Sequence, residues 1–188
     1  VPDQAITHPF FAASIADCLD EASPTGVRYS LWGYILAEAA NAADGLAAIR
    51  RLVYEQRAVS WSDLVSALKN DYEGHEPLRQ LIRNRMPKYG NDIDEVDALA
   101  KEIAEYYCEG VHARGGNTPG PGPKCAPGLM CFGIHRKRDL PASPDGRRQG
   151  DLTATSFSPA VGMDRSGPTA VLRSASKVDL TKASHGSV

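Results

Sequence analysis

Apolar residues recur at steps of three and four along most of the first 110 residues, which is the spacing of helices with one buried face. This spacing predicts a long helix that begins near Ile35 and continues to Val53. Its alanine-rich middle would keep the helix thin, so that a neighbouring element can approach closely. The predicted inward-facing residues are Leu36, Ala39, Ala43, Leu46, Ile49 and Val53.

Three further helices are predicted between residues 60 and 109. Ser60 followed by Asp63 resembles a capping box, and the inward residues behind it would be Trp61, Leu64, Val65 and Leu68. Pro77 suits the first turn of the next helix, which carries Leu78, Leu81 and Ile82 and stops at Pro87. Asp92 can cap the last helix, whose apolar seam is Ile93, Val96, Ala100, Ile103 and Tyr107.

Two short stretches are rich in β-forming residues, GVRYSLWG at 26–33 and GLMCFGI at 128–134. Strands combined with these helices predict an α/β protein. Two strands do not close a sheet, so this part of a fold needs neighbours.

Composition separates the chain into two parts. With 188 residues, 42% of them hydrophobic, the chain can bury one sizeable core. Acidic residues outnumber basic ones in 1–110 and the reverse holds in 111–188, where glycine and proline are also concentrated. We therefore predict a helical part at 1–114 and a loop-rich part of the same domain at 115–188. The basic part could instead bind an acidic partner, which is the alternative interpretation.

Net charge and segment character exclude several classes of function. A net charge of −2 argues against a general nucleic-acid or anionic-membrane binder. The sequence contains no apolar run long enough for a membrane span and no signal-peptide pattern. Four cysteines are too few for a disulfide scaffold of this length, so we expect a cytoplasmic protein.

No catalytic constellation is visible from residue types and spacing. Cys125 and Cys131, flanked by His112 and His135, have the right elements for zinc, but their spacing is wrong, and we expect no metal site. Arg147 and its neighbour at 148 could clamp a carboxylate or phosphate. An arginine beside a Pro-Asp-Gly turn is more often a structural anchor.

Three separated segments resemble motifs of the glycyl radical enzymes of the pyruvate formate-lyase superfamily, in the same order. MPKYGNDIDEVDALAKEIAEYYCE (86–109) is similar to the family's Tyr-Gly-Asn-Asp segment and the helix that follows it. ASPDGRRQGD (142–151) resembles its Thr-Pro-Asp-Gly-Arg-Lys-Ala-Gly-Glu motif. FSPAVGMDRSGPTAVLRSASKVD (157–179) resembles its Ser-Pro and Gly-Pro-Thr run. The segments before them fit the helices of the dehydratase and decarboxylase branch.

The resemblance implies a slice of the ten-stranded glycyl radical enzyme barrel, in which turn-rich loops are ordered around a buried radical site. The parent would be a radical C–C or C–O lyase, such as a decarboxylase or dehydratase. Its glycyl radical would be installed by an S-adenosylmethionine iron–sulfur activating enzyme. We expect the remainder of the enzyme, the activating enzyme and a small organic substrate as partners, in a homodimer without nucleic acid or membrane.

The family's thiyl cysteine loop and radical glycine motif do not occur in this sequence. The resemblance places them before Val1 and after Val188, so we expect no catalytic residue here and no activity from this chain alone. Structural roles are expected for the motif residues Asp145, Gly146, Arg147, Gly167, Pro168 and Thr169.

A substrate-facing wall is predicted from the β-prone aromatic stretches and the Ser-Pro step. The expected lining residues are Ser30, Trp32, Leu129, Met130, Phe132, Phe157 and Ser158. Because these stretches contain no Asp, Glu or His, they favour a hydrophobic substrate such as an arylacetate or a hydrocarbon adduct. Two non-enzymatic alternatives remain: a structural or assembly subunit that kept the scaffold, and a partner-binding module.

Overall fold

A computed structural model of the chain describes Phe10 and residues 13–14, 31–115, 124–129, 140–183 and 185–186. Side chains are described for Phe10 and for 13–14, 34–114, 127–129 and 140–183. The elements in chain order are β1 (Leu31–Ile35), α1 (Ala39–Ile49), α2 (Trp61–Lys69), α3 (Glu76–Arg85), α4 (Asp94–Gly115), β2 (Lys124–Leu129), α5 (Pro168–Ser176) and β3 (His185–Gly186).

The strands form a parallel sheet in the order β1–β2–β3. Leu31 pairs with Lys124 and Ile35 with Gly128, and Gly128 also pairs with His185 on the other side. Helices α1 and α4 pack on each other, and α4 packs on β2. The described part is therefore mainly helical with a few short strands, as the sequence predicted.

The predicted strand boundaries were wrong in detail. The first predicted strand overlaps β1 only at 31–33, and its residues 26–30 lie outside the described part. The second predicted strand, 128–134, shares 128–129 with β2, which begins earlier than predicted, at Lys124. Residues 130–134 lie outside the described part. Strand β3 was not predicted, since two residues carry no periodic signal.

The single long helix predicted from Ile35 to Val53 is divided among several elements in the structure. Ile35 ends β1, a short loop follows, and α1 then continues into a π-helical turn at Arg50–Glu55. In that turn the backbone N–H of Gln56 donates to the carbonyl of Arg51 at 2.8 Å, the i→i+5 bond that defines a π-helix. The face against α4 is formed by alanines, among them Ala40, Ala43 and Ala47, which are at most 1% exposed. The bulkier Leu46 was predicted to face inward but is 47% exposed. The buried face of α1 is the one with the small alanines, because these let α4 pack closely.

Helix α2 begins as its capping signal predicts, since the Ser60 hydroxyl accepts from the backbone N–H of Asp63 at 3.1 Å. Its inward face was partly misassigned. Leu64 and Ala67 are buried, whereas Trp61 is 46% and Val65 39% exposed. Trp61 packs edge-to-face against Tyr54 on the surface, with ring centroids 6.0 Å apart.

Helices α3 and α4 follow their predictions more closely. Pro77 lies in the first turn of α3 and Ile82 is fully buried, although Leu81 is 36% exposed. The α4 seam is confirmed: Val96 and Ala100 are fully buried, and its partly buried members pack on the same core, namely Ile93, Ile103 and Tyr107. None of the helices in the described ranges combines the length and the apolar character that crossing a lipid bilayer would need.

Candidate functional site

The Pro-Asp-Gly-Arg stretch forms a closed turn. The N–H of Gly146 donates to the carbonyl of Ser143, and the N–H of Ser143 to the carbonyl of Arg147, each at 3.0 Å. Asp145 Oδ1 accepts from the Ser143 hydroxyl at 2.5 Å and from the Arg147 N–H at 3.2 Å. Gly146 has φ +92°, which disfavours any residue with a side chain. The motif's local sequence thus explains the turn by itself.

Side chains from distant elements hold this turn in the interior. Asn41 of α1 donates to Asp145 Oδ2 at 2.6 Å and accepts from the N–H of Ala154 at 2.7 Å. Lys88 donates to the carbonyl of Asp145 at 2.8 Å, and the Tyr72 hydroxyl to the carbonyl of Ser143 at 2.8 Å. These contacts connect the turn to α1 and to the Tyr-Gly-Asn-Asp segment.

Arg147 is 5% exposed and donates only to carbonyls among the described residues. Its acceptors include Pro141 and Arg148, the latter at 2.9 Å. An arginine whose donors are used in this way is not available to clamp a substrate anion. Its contacts are those of an anchor, the role expected from its position in the turn.

A buried carboxylate and a buried ammonium lie beneath the turn. Asp44 of α1 is fully buried and Lys88 is 4% exposed, with Lys88 Nζ 3.9 Å from Asp44 Oδ2. Asp44 Oδ1 accepts from the N–H of Tyr89 at 2.7 Å, whereas Oδ2 has no hydrogen-bond partner in the described part of the chain. Burial raises the pKa of Asp44 to about 7, although the Lys88 charge opposes the shift. Burial likewise lowers the pKa of Lys88.

The Tyr-Gly-Asn-Asp segment interlocks with the Ser-Pro and Gly-Pro-Thr segment. Asn91 donates to the carbonyl of Met163 at 2.7 Å and accepts from the N–H of Ser166 at 2.9 Å. Gly167, with φ +82°, precedes α5, Pro168 lies in its first turn, and Thr169 is exposed there. The three motif segments, far apart in sequence, therefore form one structural unit.

Only part of the expected substrate wall falls on described side chains. Leu129 and Phe157 are each 1% exposed and belong to one hydrophobic cluster, and Ser158 is partly buried. Phe157 packs edge-to-face on Tyr89 with ring centroids 5.3 Å apart. Trp32 lies in β1, but its side chain is outside the described part, as are residues Ser30, Met130 and Phe132. The wall remains a prediction.

One acidic cluster could suggest a cation site. Carboxylate oxygens of Asp92, Asp94 and Asp97 lie within 4.8 Å of one another. Lys177 Nζ lies 2.9, 2.7 and 2.7 Å from them and supplies the compensating charge. Of the residues considered for zinc, His112 makes a 2.8 Å hydrogen bond to the carbonyl of Lys182. The side chains of Cys125, Cys131 and His135 are outside the described part.

The sequence interpretation missed Asn41, Asp44 and Lys88. A signal was present in α1, where two polar residues three positions apart interrupt an otherwise alanine face. Polar side chains on the buried stripe of a helix need partners in the interior. Their partners lie 44 to 113 residues away in the chain, so they could not be named from local pattern.

Comparison with known proteins identifies the family. Residues 1–131 match the family model described as pyruvate formate lyase-like. The probable dehydratase YbiW of Escherichia coli is 33% identical over 89% of this chain and 22% of its own length. The (2S)-3-sulfopropanediol dehydratase of Klebsiella oxytoca is 31% identical over 96% of this chain and 23% of its own. The indoleacetate decarboxylase of Tractidigestivibacter scatoligenes is 27% identical over 93% and 23%.

Solved structures give the same answer for the fold. The glycerol-bound B12-independent glycerol dehydratase of Clostridium butyricum superposes with a TM-score of 0.82 at 34% identity, covering 96% of this chain and 23% of that one. A glycyl radical enzyme of Archaeoglobus fulgidus gives a TM-score of 0.80 at 33% identity, with the same coverage. The chain thus spans less than a quarter of the length of these relatives, and it belongs to the pyruvate formate lyase-like family.

Proposed function

We propose that this chain forms part of the substrate-surrounding barrel of a glycyl radical lyase. Within that enzyme its role is to hold buried turns in place around the reaction chamber, while other segments supply the radical residues. Family membership and the likeness to glycyl radical enzyme structures support this role. A closed chamber suits radical chemistry, because water and oxygen have to be kept away from reactive intermediates.

One observation carries the proposal: the three motif segments are joined to one another through internal polar contacts, one of them buried and one partly buried. Lys88 of the first segment reaches the Asp145 carbonyl of the second, and Asn91 reaches the Met163 carbonyl of the third. Asn41 ties the second segment to α1. Because these side chains make internal hydrogen bonds that join segments distant in the sequence, we assign them a scaffolding role.

The proposed parent carries a glycyl radical, installed by an S-adenosylmethionine iron–sulfur activating enzyme, and a thiyl cysteine. Neither residue is assigned to this chain, whose four cysteines stand in ADCLDE, YYCEG, PKCAP and LMCFG. Cys108, which stands in YYCEG, is buried in the hydrophobic core on which α4 packs. We further propose a homodimer in the cytoplasm that acts on a small organic substrate, without nucleic acid or membrane.

For the reaction, we propose dehydration of a small hydroxylated compound. The relative at 33% identity is named a probable dehydratase, and the one at 31% identity is named a dehydratase. The solved structure at 34% identity is a glycerol dehydratase. The second candidate is decarboxylation of an arylacetate, which the apolar wall residues favour and which one relative at 27% identity is named for. A non-catalytic assembly subunit is the further alternative.

Electron spin resonance tests the proposal. The protein that contains this segment together with its flanking sequence, treated anaerobically with its activating enzyme, should develop a glycyl doublet. The 188-residue chain alone should show none and should have no lyase activity, since both radical residues lie elsewhere. A doublet on the 188-residue chain would contradict the assignment of roles, and no doublet on the longer protein would favour the assembly subunit.

A further inference from the structure

A cavity of about 330 Å³ opens between the π-helical turn, the end of α3 and the loop before α5. Among the residues of the described ranges that line it, four are basic and none carries a carboxylate, the basic ones being Arg51, Arg85, Lys88 and Arg165. A water molecule takes about 30 Å³ in the liquid, so the cavity has room for a small organic molecule. A concave site lined by charges of one sign attracts ligands of the opposite sign.

Two of the four basic side chains are already engaged by the protein. Arg51 Nη2 lies 2.6 Å from Glu95 Oε2, which balances its charge. Lys88 is buried, donates to the carbonyl of Asp145 at 2.8 Å and faces Asp44. We therefore assign ligand contacts to neither Arg51 nor Lys88.

The other two basic side chains, Arg85 and Arg165, have no carboxylate partner. Arg85 is exposed in the last turn of α3, and its guanidinium has neither a hydrogen bond nor an ion pair within the part of the chain that the structure describes. Arg165 uses Nη2 for the carbonyl of Arg83 at 3.2 Å and for Asn84 Oδ1 at 2.9 Å, which are both neutral acceptors. Each guanidinium therefore keeps its positive charge and several free donors.

The charge of Arg165 also acts on the buried Lys88. Burial lowers the pKa of Lys88, the carboxylates of Asp44 and Asp145 oppose this shift, and the charges of Arg83 and Arg165 lower the pKa further. Positive groups thus repel one another around this cavity. An anion bound there would relieve the repulsion.

We propose that this cavity binds the phosphate group of a small phosphate monoester between Arg85 and Arg165. A phosphate monoester carries a charge of about −1.5 to −2 at neutral pH and three outer oxygens, so two guanidinium groups from different segments can each engage it. A carboxylate offers one charge and two oxygens, which one guanidinium already satisfies. Met86, Pro87 and Ile93 give the cavity an apolar side for the carbon atoms of the ligand.

Propyl phosphate and butyrate are the decisive pair of probes, because they share a propyl chain and differ in the anionic group. Binding is measured by isothermal titration calorimetry at a fixed chloride concentration, on the protein that contains this segment with its flanking sequence. No radical activation is used, so the result is independent of the proposed lyase activity. We expect propyl phosphate to bind at least about tenfold more tightly than butyrate, because it engages a second guanidinium. Equal binding of the two, or no binding of propyl phosphate, would overturn the proposal.

Variants of single arginines locate the site. Arg85→Gln and Arg165→Gln should each weaken propyl phosphate binding by about tenfold or more. Arg50→Gln is the matched control, since Arg50 is an exposed arginine next to Arg51 that does not line the cavity, and it should leave binding unchanged. Arg165→Gln also removes the contacts to Arg83 and Asn84, so Arg85→Gln decides if Arg165→Gln does not fold. Unchanged binding in Arg85→Gln, or equal weakening in Arg50→Gln, would contradict the proposed site.

Discussion

Gly90 and Pro159 are in such close contact that a β-carbon at Gly90 would lie 2.1 Å from Pro159 Cγ. The proline belongs to the Ser-Pro step and the glycine to the Tyr-Gly-Asn-Asp segment, so this contact is where two family motifs meet. Gly90 also has φ +88°, a backbone conformation that a side chain disfavours. The glycine is therefore required by space and by backbone geometry together.

We predict that Gly90→Ala destabilises the protein by several kcal/mol, about 1–2 kcal/mol from the backbone conformation and the rest from the steric clash. Gly150→Ala is the matched control, because Gly150 has φ +87° but open space around its would-be β-carbon. Chemical denaturation of both variants separates the two effects. Equal losses would show that the Gly90–Pro159 contact can relax at no cost.

Asn41 should be among the most sensitive polar positions. Asn41→Ala leaves Asp145 Oδ2 and the N–H of Ala154 without the amide they share in the interior. Each unsatisfied buried group costs about 1–3 kcal/mol, so the unfolding free energy should fall by roughly 2–6 kcal/mol. Asn84→Ala, which removes an exposed amide on α3, should cost little. A small effect at Asn41 would mean that water replaces both bonds.

The buried Asp44 makes a prediction about pH. Because burial raises the pKa of Asp44 from 3.8 to about 7, the folded state holds this proton where the unfolded chain has lost it. The contribution of Asp44 to stability is thus fully present below about pH 4 and is lost as the pH rises towards 7. The slope approaches about 1.4 kcal/mol per pH unit inside this window.

Comparison with Asp44→Asn isolates this effect from the other charged groups near Asp44, which are Lys88, Asp97 and Asp145. Between pH 4 and 7 the unfolding free energy of the wild type should fall relative to that of Asp44→Asn. Above pH 7 the difference between the two proteins should stay constant. Asp164→Asn, the same change at an exposed site, is the control for the substitution itself. A constant difference between wild type and Asp44→Asn across the window would contradict the raised pKa.

The sequence predicted the helices well and their inward faces less well. Period-3.6 spacing located α4 and its seam, and capping chemistry located the start of α2. Leu46 and Trp61 were misassigned because hydrophobicity alone does not say which side of a helix a neighbour approaches. In α1 the neighbouring helix α4 packs on the alanine face, which leaves room for close approach although alanine is only weakly apolar.

The buried polar contacts could not be predicted from the local sequence pattern, for a different reason. A buried Asp44 or Asn41 is stable only through partners that the fold brings from distant segments. The resemblance of three motifs indicated that these segments belong together. It did not indicate that Lys88 would join two of them by reaching the carbonyl of Asp145.

The last prediction separates the two candidate reactions. If the enzyme dehydrates a small hydroxylated compound, the activated full-length protein should turn over glycerol or a similar polyol and should not act on an arylacetate. Trp32→Ala then has little effect, since hydroxyl groups take their binding energy from polar partners. If the apolar wall instead holds an aromatic ring, arylacetate turnover should be the robust activity, and Trp32→Ala should reduce kcat/KM by about tenfold or more, because burying a large aromatic side chain contributes several kcal/mol.

Phe10→Ala, at a ring that is 94% exposed, serves as the control for loss of an aromatic residue elsewhere. Polyol turnover that survives Trp32→Ala would refute the apolar wall and its substrate together, and arylacetate turnover that collapses in Trp32→Ala would refute the dehydratase proposal.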